Sequence, residues 1–138
     1  MLGKIFNRCG GYTVIIIRLA LGWIFIAHGG QKLFGLWGGQ GLGGTAQFLQ
    51  SLALPHPDIM ALLAGSAEFL GGLMVLLGFY ARWGTLFIIG VMAVAIRTIH
   101  FKNGFFIQNQ GYEYNVAVIA MCLSILFAGS GRWSIKHD

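Results

Sequence analysis

The sequence predicts an all-α polytopic membrane protein, a four-transmembrane-helix bundle forming a single integral membrane domain over residues 1–138. Three observations lead there. Hydrophobic residues make up 57% of the chain and charged residues 9%, whereas a soluble domain carries about 25% charge. Mean hydropathy is +0.74, and the polar outer faces that soluble amphipathic helices require are missing. Four apolar stretches, 12–33, 59–79, 85–101 and 114–128, approach the ~20 residues needed to cross a hydrocarbon core.

The first stretch begins at Tyr12. Its "LALGWIFIAHGG" has no clear small-residue cleavage site and three comparable runs follow, so it reads as a retained span rather than a signal peptide. The first connection is the longest. "GLWGGQGLGG" is flexible or tightly turned backbone. In "TAQFLQSLAL", 45–54, Phe48, Leu49 and Leu52 recur at helix spacing before Pro55. This predicts a short amphipathic helix at the membrane interface, able to lid a site.

"YARWG" reads as a short second turn, with Arg82 and Trp83 as interface anchors. The last two spans are short enough to need local thinning or a buried end. Between them, "FKNGFFIQNQGYEY" contains an Asn103-Gly104 turn and a Phe105-Phe106-Ile107 cluster more apolar than a solvent loop, expected to fold back on the bundle.

Net charge is +5, but the basic residues are scattered singly rather than in a stripe. Nucleic acid is therefore not an expected partner, and membrane lipid is. With the N-terminus inside, Lys4, Arg8, Arg82, Arg132 and Lys136 face the cytoplasm while Lys32 and Lys102 lie outside. That bias favours both termini in the cytoplasm. Cys9 and Cys122 are far apart with no CxxC, which excludes dithiol exchange by this chain alone. Cys122, the methionines and the Trp23, Phe25, Phe34 and Trp37 aromatics read as packing.

The intramembrane polar residues need more explanation, because charge within a span is expensive. Arg18 lies roughly 9 Å inside the first span, where it either snorkels to the headgroups or pairs. Glu68 lies roughly 13 Å from the nearer end of the second span, close to the midplane. There it is either protonated or paired, and the available cations are Arg18 from one side and Arg97, His28, His100 or Lys32 from the other. His28 and Lys32 share one helix face, and Arg97 and His100 another.

With Glu113 at the start of the last span, these groups are expected to converge at the outer end. They either mark helix ends, with Glu113 clamping Arg97 or Lys102, or form an outward-opening polar pocket floored by Glu68 and roofed by the first connection. Gly22, Gly65, Gly71, Gly72 and Gly90 allow close helix approach in lipid. Gly71 and Gly72, one turn from Glu68, would also leave room for a ligand.

Several chemistries suit such a pocket. Bis-histidine haem ligation would use His28 and His100, although no CxxCH is present. Clustered soft ligands for a metal are lacking, so no metal is expected. A quinone head, or another small amphiphile with carbonyl or hydroxyl groups, suits a His, an Arg and a protonatable Glu. A proton relay through Glu68 and the histidines is a further reading, but no internal repeat of the transporter kind is present.

The segments "IIIRLALGWIFIAHGGQKLF", "AEFLGGLMVLLGFYARWG", "AIRTIHFKNGFF" and "GYEYNVAVIAMCLSILFAGSGRWSI" together resemble the DoxX family of small bacterial membrane proteins. The resemblance covers nearly the whole chain and rests on the order and spacing of Arg18, His28, Gly29, Lys32, Glu68, Gly71, Gly72, Arg82, His100, Glu113 and Gly129. It implies four transmembrane helices in the bacterial plasma (inner) membrane. It also implies a redox accessory role, quinone-linked or in oxidative stress, beside a redox enzyme or other membrane subunits. A structural or assembly protein without a cofactor, which could be a homo-oligomer, and a proton-coupled small-molecule transporter are the alternatives, since a fold carries no assured reaction.

Overall fold

A computed structural model of the protein describes residues 10–135. Lys4, Arg8 and Lys136, which weigh in the charge bias, and Cys9 lie outside the described residues. Among the described residues the chain forms five α-helices, α1 (Gly10–Phe34), α2 (Gly41–Ser51), α3 (Pro57–Leu77), α4 (Ala81–Ala95) and α5 (Glu113–Ala128). Among the described residues three helical segments are long and apolar enough to cross a membrane: Tyr12–Phe34, Pro57–Leu77 and Ala81–Asn103. The fourth apolar helix, α5, is shorter at 16 residues.

Helix ends follow local chemistry. Pro57 opens α3 with Asp58 in its first turn, where a missing N–H and a negative charge are both favourable. Gly78 ends it at φ 66°, the left-handed conformation glycine adopts freely. The turn to α4 is tighter than "YARWG" suggests, because α4 already begins at Ala81. Arg82 and Trp83 are thus helical rather than loop residues, and Arg82 Nε donates to the Leu126 carbonyl at 2.9 Å. The interfacial helix also starts earlier than expected, at Gly41.

Beyond Ala95 the helix widens into a π turn, Ile96–His100, followed by a 3-10 turn, Phe101–Asn103. The third connection closes on itself, but Phe105, Phe106 and Ile107 stay exposed rather than packing on the bundle as the sequence suggests. Tyr112 N–H donates to the Gly104 carbonyl at 3.1 Å and Glu113 N–H to that of Phe105 at 2.8 Å. The Tyr112 ring stacks on Phe101 and meets Phe105 edge-on.

Around the bundle the long helices neighbour one another in the order α1, α3, α4, α5, with α5 returning to α1 and α2 lying across α1 and α3. Leu21, Phe25, Val75, Ile88, Val118 and Cys122 belong to the shared core. Glycines set the tightest crossings. A Cβ on Gly72 would come within 2.7 Å of Ile26 N and 2.8 Å of Gly22 O, and one on Gly71 within 2.9 Å of Gly84 O. Helix backbones occupy the space at Gly71 and Gly72, so it is not ligand room.

Candidate functional site

Glu68 sits in the middle of α3 with 1% of its surface exposed. Its cation is Lys32, in the last turn of α1, whose ammonium pairs with Glu68 Oε1. The Lys32 side chain is 33% exposed, so the pair reaches from the interior toward the surface. Glu68 Oε2 is buried without a hydrogen-bond partner. An unsatisfied carboxylate oxygen is costly in a low-dielectric interior, and it marks the place where a further group is wanted.

That group has a space. A cup of about 160 Å³ is lined by His28, Lys32, Glu68, His100, Tyr114 and Asn115, together with apolar residues of α1 and α4. Asn115 is 2% exposed. Its Nδ2 donates to the Met92 thioether at 3.3 Å, while Oδ1 has no partner. An amide N–H suits a sulfur acceptor and a carbonyl oxygen does not, which fixes the orientation of the amide. His100 donates through Nδ1 to the Gln110 carbonyl at 2.7 Å.

Beside the cup runs a larger apolar trough of about 640 Å³ between α3 and α4, with Thr45, Phe48 and Leu49 of α2 along one wall. Cup and trough share Lys32 and the Val91, Ala95, Ile99 stripe that runs from α4 into the π turn. Trough residues Leu63, Leu70 and Val94 are exposed on the outside of the bundle, so the trough opens sideways, toward the hydrocarbon of a surrounding bilayer.

His28, Lys32, Glu68 and His100 are thus brought together. Arg97 and Glu113 are not. Arg97 is exposed on the π turn and lines neither cavity; the wider turn changes the register that a regular helix would have given Arg97 and His100. Glu113 is spent on the backbone, with Oε2 accepting Ile107 N–H at 2.9 Å, rather than clamping Arg97 or Lys102. The first connection roofs the apolar trough and not the polar cup.

Arg18 neither snorkels nor reaches Glu68. It is 2% exposed and donates to five carbonyls: Val75 at 2.9 Å, Leu76 at 3.0 Å, Ser130 at 2.7 Å, Arg132 at 3.1 Å and Trp133 at 3.3 Å. A guanidinium at the last carbonyls of α3 complements the helix dipole and ties the segment after α5 to α1 and α3.

Sequence reasoning missed Asn115 and Tyr114. The available signal was an amide side chain inside the apolar run "NVAVIAMCL". Among the described residues no group of three or more His, Cys, Asp or Glu side chains could hold a metal ion. A cup of about 160 Å³ holds one six-membered ring, since about 150 Å³ suffices for benzene. It does not hold a porphyrin, so His28 and His100 do not frame a haem site.

Among the described residues, three long apolar helices around an ion pair and a small polar cup define a multi-pass membrane protein with a polar cavity inside its bundle. Residues 13–101 match the DoxX family model. The chain belongs to the DoxX family, small bacterial membrane proteins with redox associations. It is 31% identical over 120 residues to "Putative oxidoreductase CatD" of Bacillus subtilis (strain 168), covering 86% of this chain and 82% of that protein. It is 32% identical over 137 residues to "Inner membrane protein YphA" of Escherichia coli (strain K12), covering 96% and 94%. With "Inner membrane protein YqjF" of the same organism the identity is 26% over 124 residues, covering 90% and 89%. No solved structure matches the chain at a significant level. Helices and relatives together indicate a multi-pass inner-membrane protein.

Proposed function

We propose that the protein is an accessory membrane subunit of a redox system, quinone-linked or acting in oxidative stress, which holds a small hydrophobic ligand at the Lys32–Glu68 site. The observation that carries this reading is the ion pair with one unsatisfied carboxylate oxygen at a ring-sized cup beside a trough open to lipid. A helix-packing carboxylate would use both oxygens, because an empty acceptor adds cost without adding cohesion. The oxidoreductase name of the Bacillus subtilis relative supports the redox setting.

In this reading α5 is the fourth span. Its 16 residues extend about 24 Å, which a locally thinned bilayer accommodates. Both termini lie in the cytoplasm, and the cup faces the outer half of the membrane. A partner redox enzyme or further membrane subunits would complete the system.

The test is purification in mild detergent of wild type and Glu68→Gln side by side, with an absorption spectrum and mass spectrometry of the extracted small molecules. A hydrophobic molecule near one per chain, lost from folded Glu68→Gln, is the expected result. Bulk phospholipid alone in both samples would overturn the reading.

A further inference from the structure

We infer that the third connection, 104–112, is a foot embedded in the leaflet at the Lys32 end of the bundle rather than a loop in water. Phe105, Phe106 and Ile107 lie against lipid acyl chains, and Arg97 and Lys102 meet anionic headgroups. The inference rests on α5 as the fourth span, proposed above, and is independent of any ligand in the cup.

Depth carries it. α4 and α5 run side by side in opposite directions, fastened near one end by Arg82 Nε on the Leu126 carbonyl and near the other by Asn115 Nδ2 on the Met92 thioether. Counting on from that second pair, Glu113 at the start of α5 stands level with Val94. The apolar helical run that begins with α4 continues past Val94 to Asn103, roughly 12 Å of further rise. Glu113 N–H donates to the Phe105 carbonyl at 2.8 Å, so the chain has come back down to that level before α5 begins. Phe105 therefore stands well inside the height spanned by Ala81–Asn103, and the foot takes up thickness that the shorter α5 leaves.

Surface and backbone agree with that depth. Phe105, Phe106 and Ile107 are 44%, 60% and 55% exposed, an apolar patch that water would penalise and that lipid already bathes at Val94. The amides of Gly104 and Ile107, and every amide from Asn109 to Glu113, have acceptors within or beside the connection. The Gln110 carbonyl accepts from both His100 Nδ1 and Asn103 Nδ2. A loop in water can leave such groups to solvent, whereas irregular backbone at lipid depth must satisfy them internally. Glu113 and His100 thus close the backbone of the foot.

Charge fits the same placement. Arg97 and Lys102 are exposed, and among the described residues neither pairs with a carboxylate. Glu113, the acid that closes this connection, is taken by Ile107 N–H. Basic side chains beside an apolar patch keep their stems in hydrocarbon and reach the phosphate layer with their heads.

The experiment is spin-label accessibility of the full chain in phosphatidylcholine–phosphatidylglycerol vesicles. Single cysteines replace Phe106, Val94, Val116 and Asp58 in a Cys9→Ser, Cys122→Ala background. Oxygen concentrates in lipid and a nickel chelate stays in water, so relaxation of the label by each reads its depth. Phe106→Cys should match Val94→Cys, open to oxygen and shielded from nickel. Asp58→Cys, exposed in the first turn of α3, is the water-side reference, and Val116→Cys, exposed just inside α5, reads the span itself.

Two stability measurements in the same vesicles accompany it. Phe106→Asp should lower the unfolding temperature, a change that a loop in water or a face awaiting a protein partner would tolerate in the purified chain. Replacing phosphatidylcholine by phosphatidylglycerol should raise the unfolding temperature of wild type more than that of the Arg97→Gln, Lys102→Gln double variant.

Nickel access at Phe106 equal to that at Asp58, with Val116 shielded, would overturn the foot, leave α5 as a span and make the patch a protein-docking face. Nickel access at both Phe106 and Val116 would overturn the fourth span as well. An equal response of wild type and double variant to phosphatidylglycerol would overturn the headgroup contact.

Discussion

Arg18 donates through Nε to the carbonyl of Val75 at 2.9 Å, across 57 positions of sequence. The bond belongs to a fan of five that joins the cytoplasm-proposed end of α1 to the end of α3 and to the chain after α5.

Replacing Arg18 by Lys keeps the charge but loses the planar fork, and a lysine cannot serve carbonyls on both sides. Thermal unfolding in detergent should show a clear loss for Arg18→Lys and a larger one for Arg18→Ala, about 3 kcal/mol given charged hydrogen bonds of this kind. Limited proteolysis of both variants should cut after Gly129 sooner than in wild type. Unchanged cleavage would refute the fastening role.

Lys32→Met strands a buried carboxylate and should destabilise the bundle by about 3 kcal/mol. Adding Glu68→Gln removes the charge that was left alone, so the double variant should regain most of the loss. A double variant as unstable as the sum of the singles would mean that the two side chains act independently.

The glycines of the spans should divide sharply by position. Gly72→Val drives a side chain into the backbone of α1, 2.7 Å from Ile26 N, and should cost about 2 kcal/mol or more. Gly90→Ala faces open space and should be neutral or stabilising by up to about 1 kcal/mol through helix propensity. Equal melting temperatures for the two variants would refute the difference.

Cys122 is fully buried in the core and should resist a maleimide reagent in the folded protein. In a Cys9→Ser background, labelling followed by mass spectrometry should track unfolding, with little modification before it. Rapid labelling in native detergent would contradict the packing of α5.

The membrane class and the long apolar helices were legible because burial in lipid imposes composition on whole segments. The pairing partner of Glu68 was narrowed to a few cations but not chosen, since the choice depends on how α1 and α3 cross. Lys32 wins because Gly29 lets α1 lie against the α3 backbone, its Cβ position falling 2.7 Å from Phe69 Cα.

Arg97 was misplaced for a different reason. Helical spacing set it beside His100, and the π turn at Ile96–His100 breaks that spacing without any Pro or Gly to announce it. The partners of Arg18 could not be named from the sequence because its acceptors are backbone carbonyls, which carry no side-chain signature. Asn115 was hidden by apolar neighbours whose pattern reads as packing.

The glycine seam also has a mechanical side. With Gly22 and Gly72 holding the α1 and α3 backbones in direct contact, those two helices behave as one stiff plate, and Lys32 and Glu68 both ride on it. His100 and Asn115 belong to the other wall, reached through a π turn and a folded connection. Any change in the cup's width therefore falls to that opposite wall and leaves the ion pair in place.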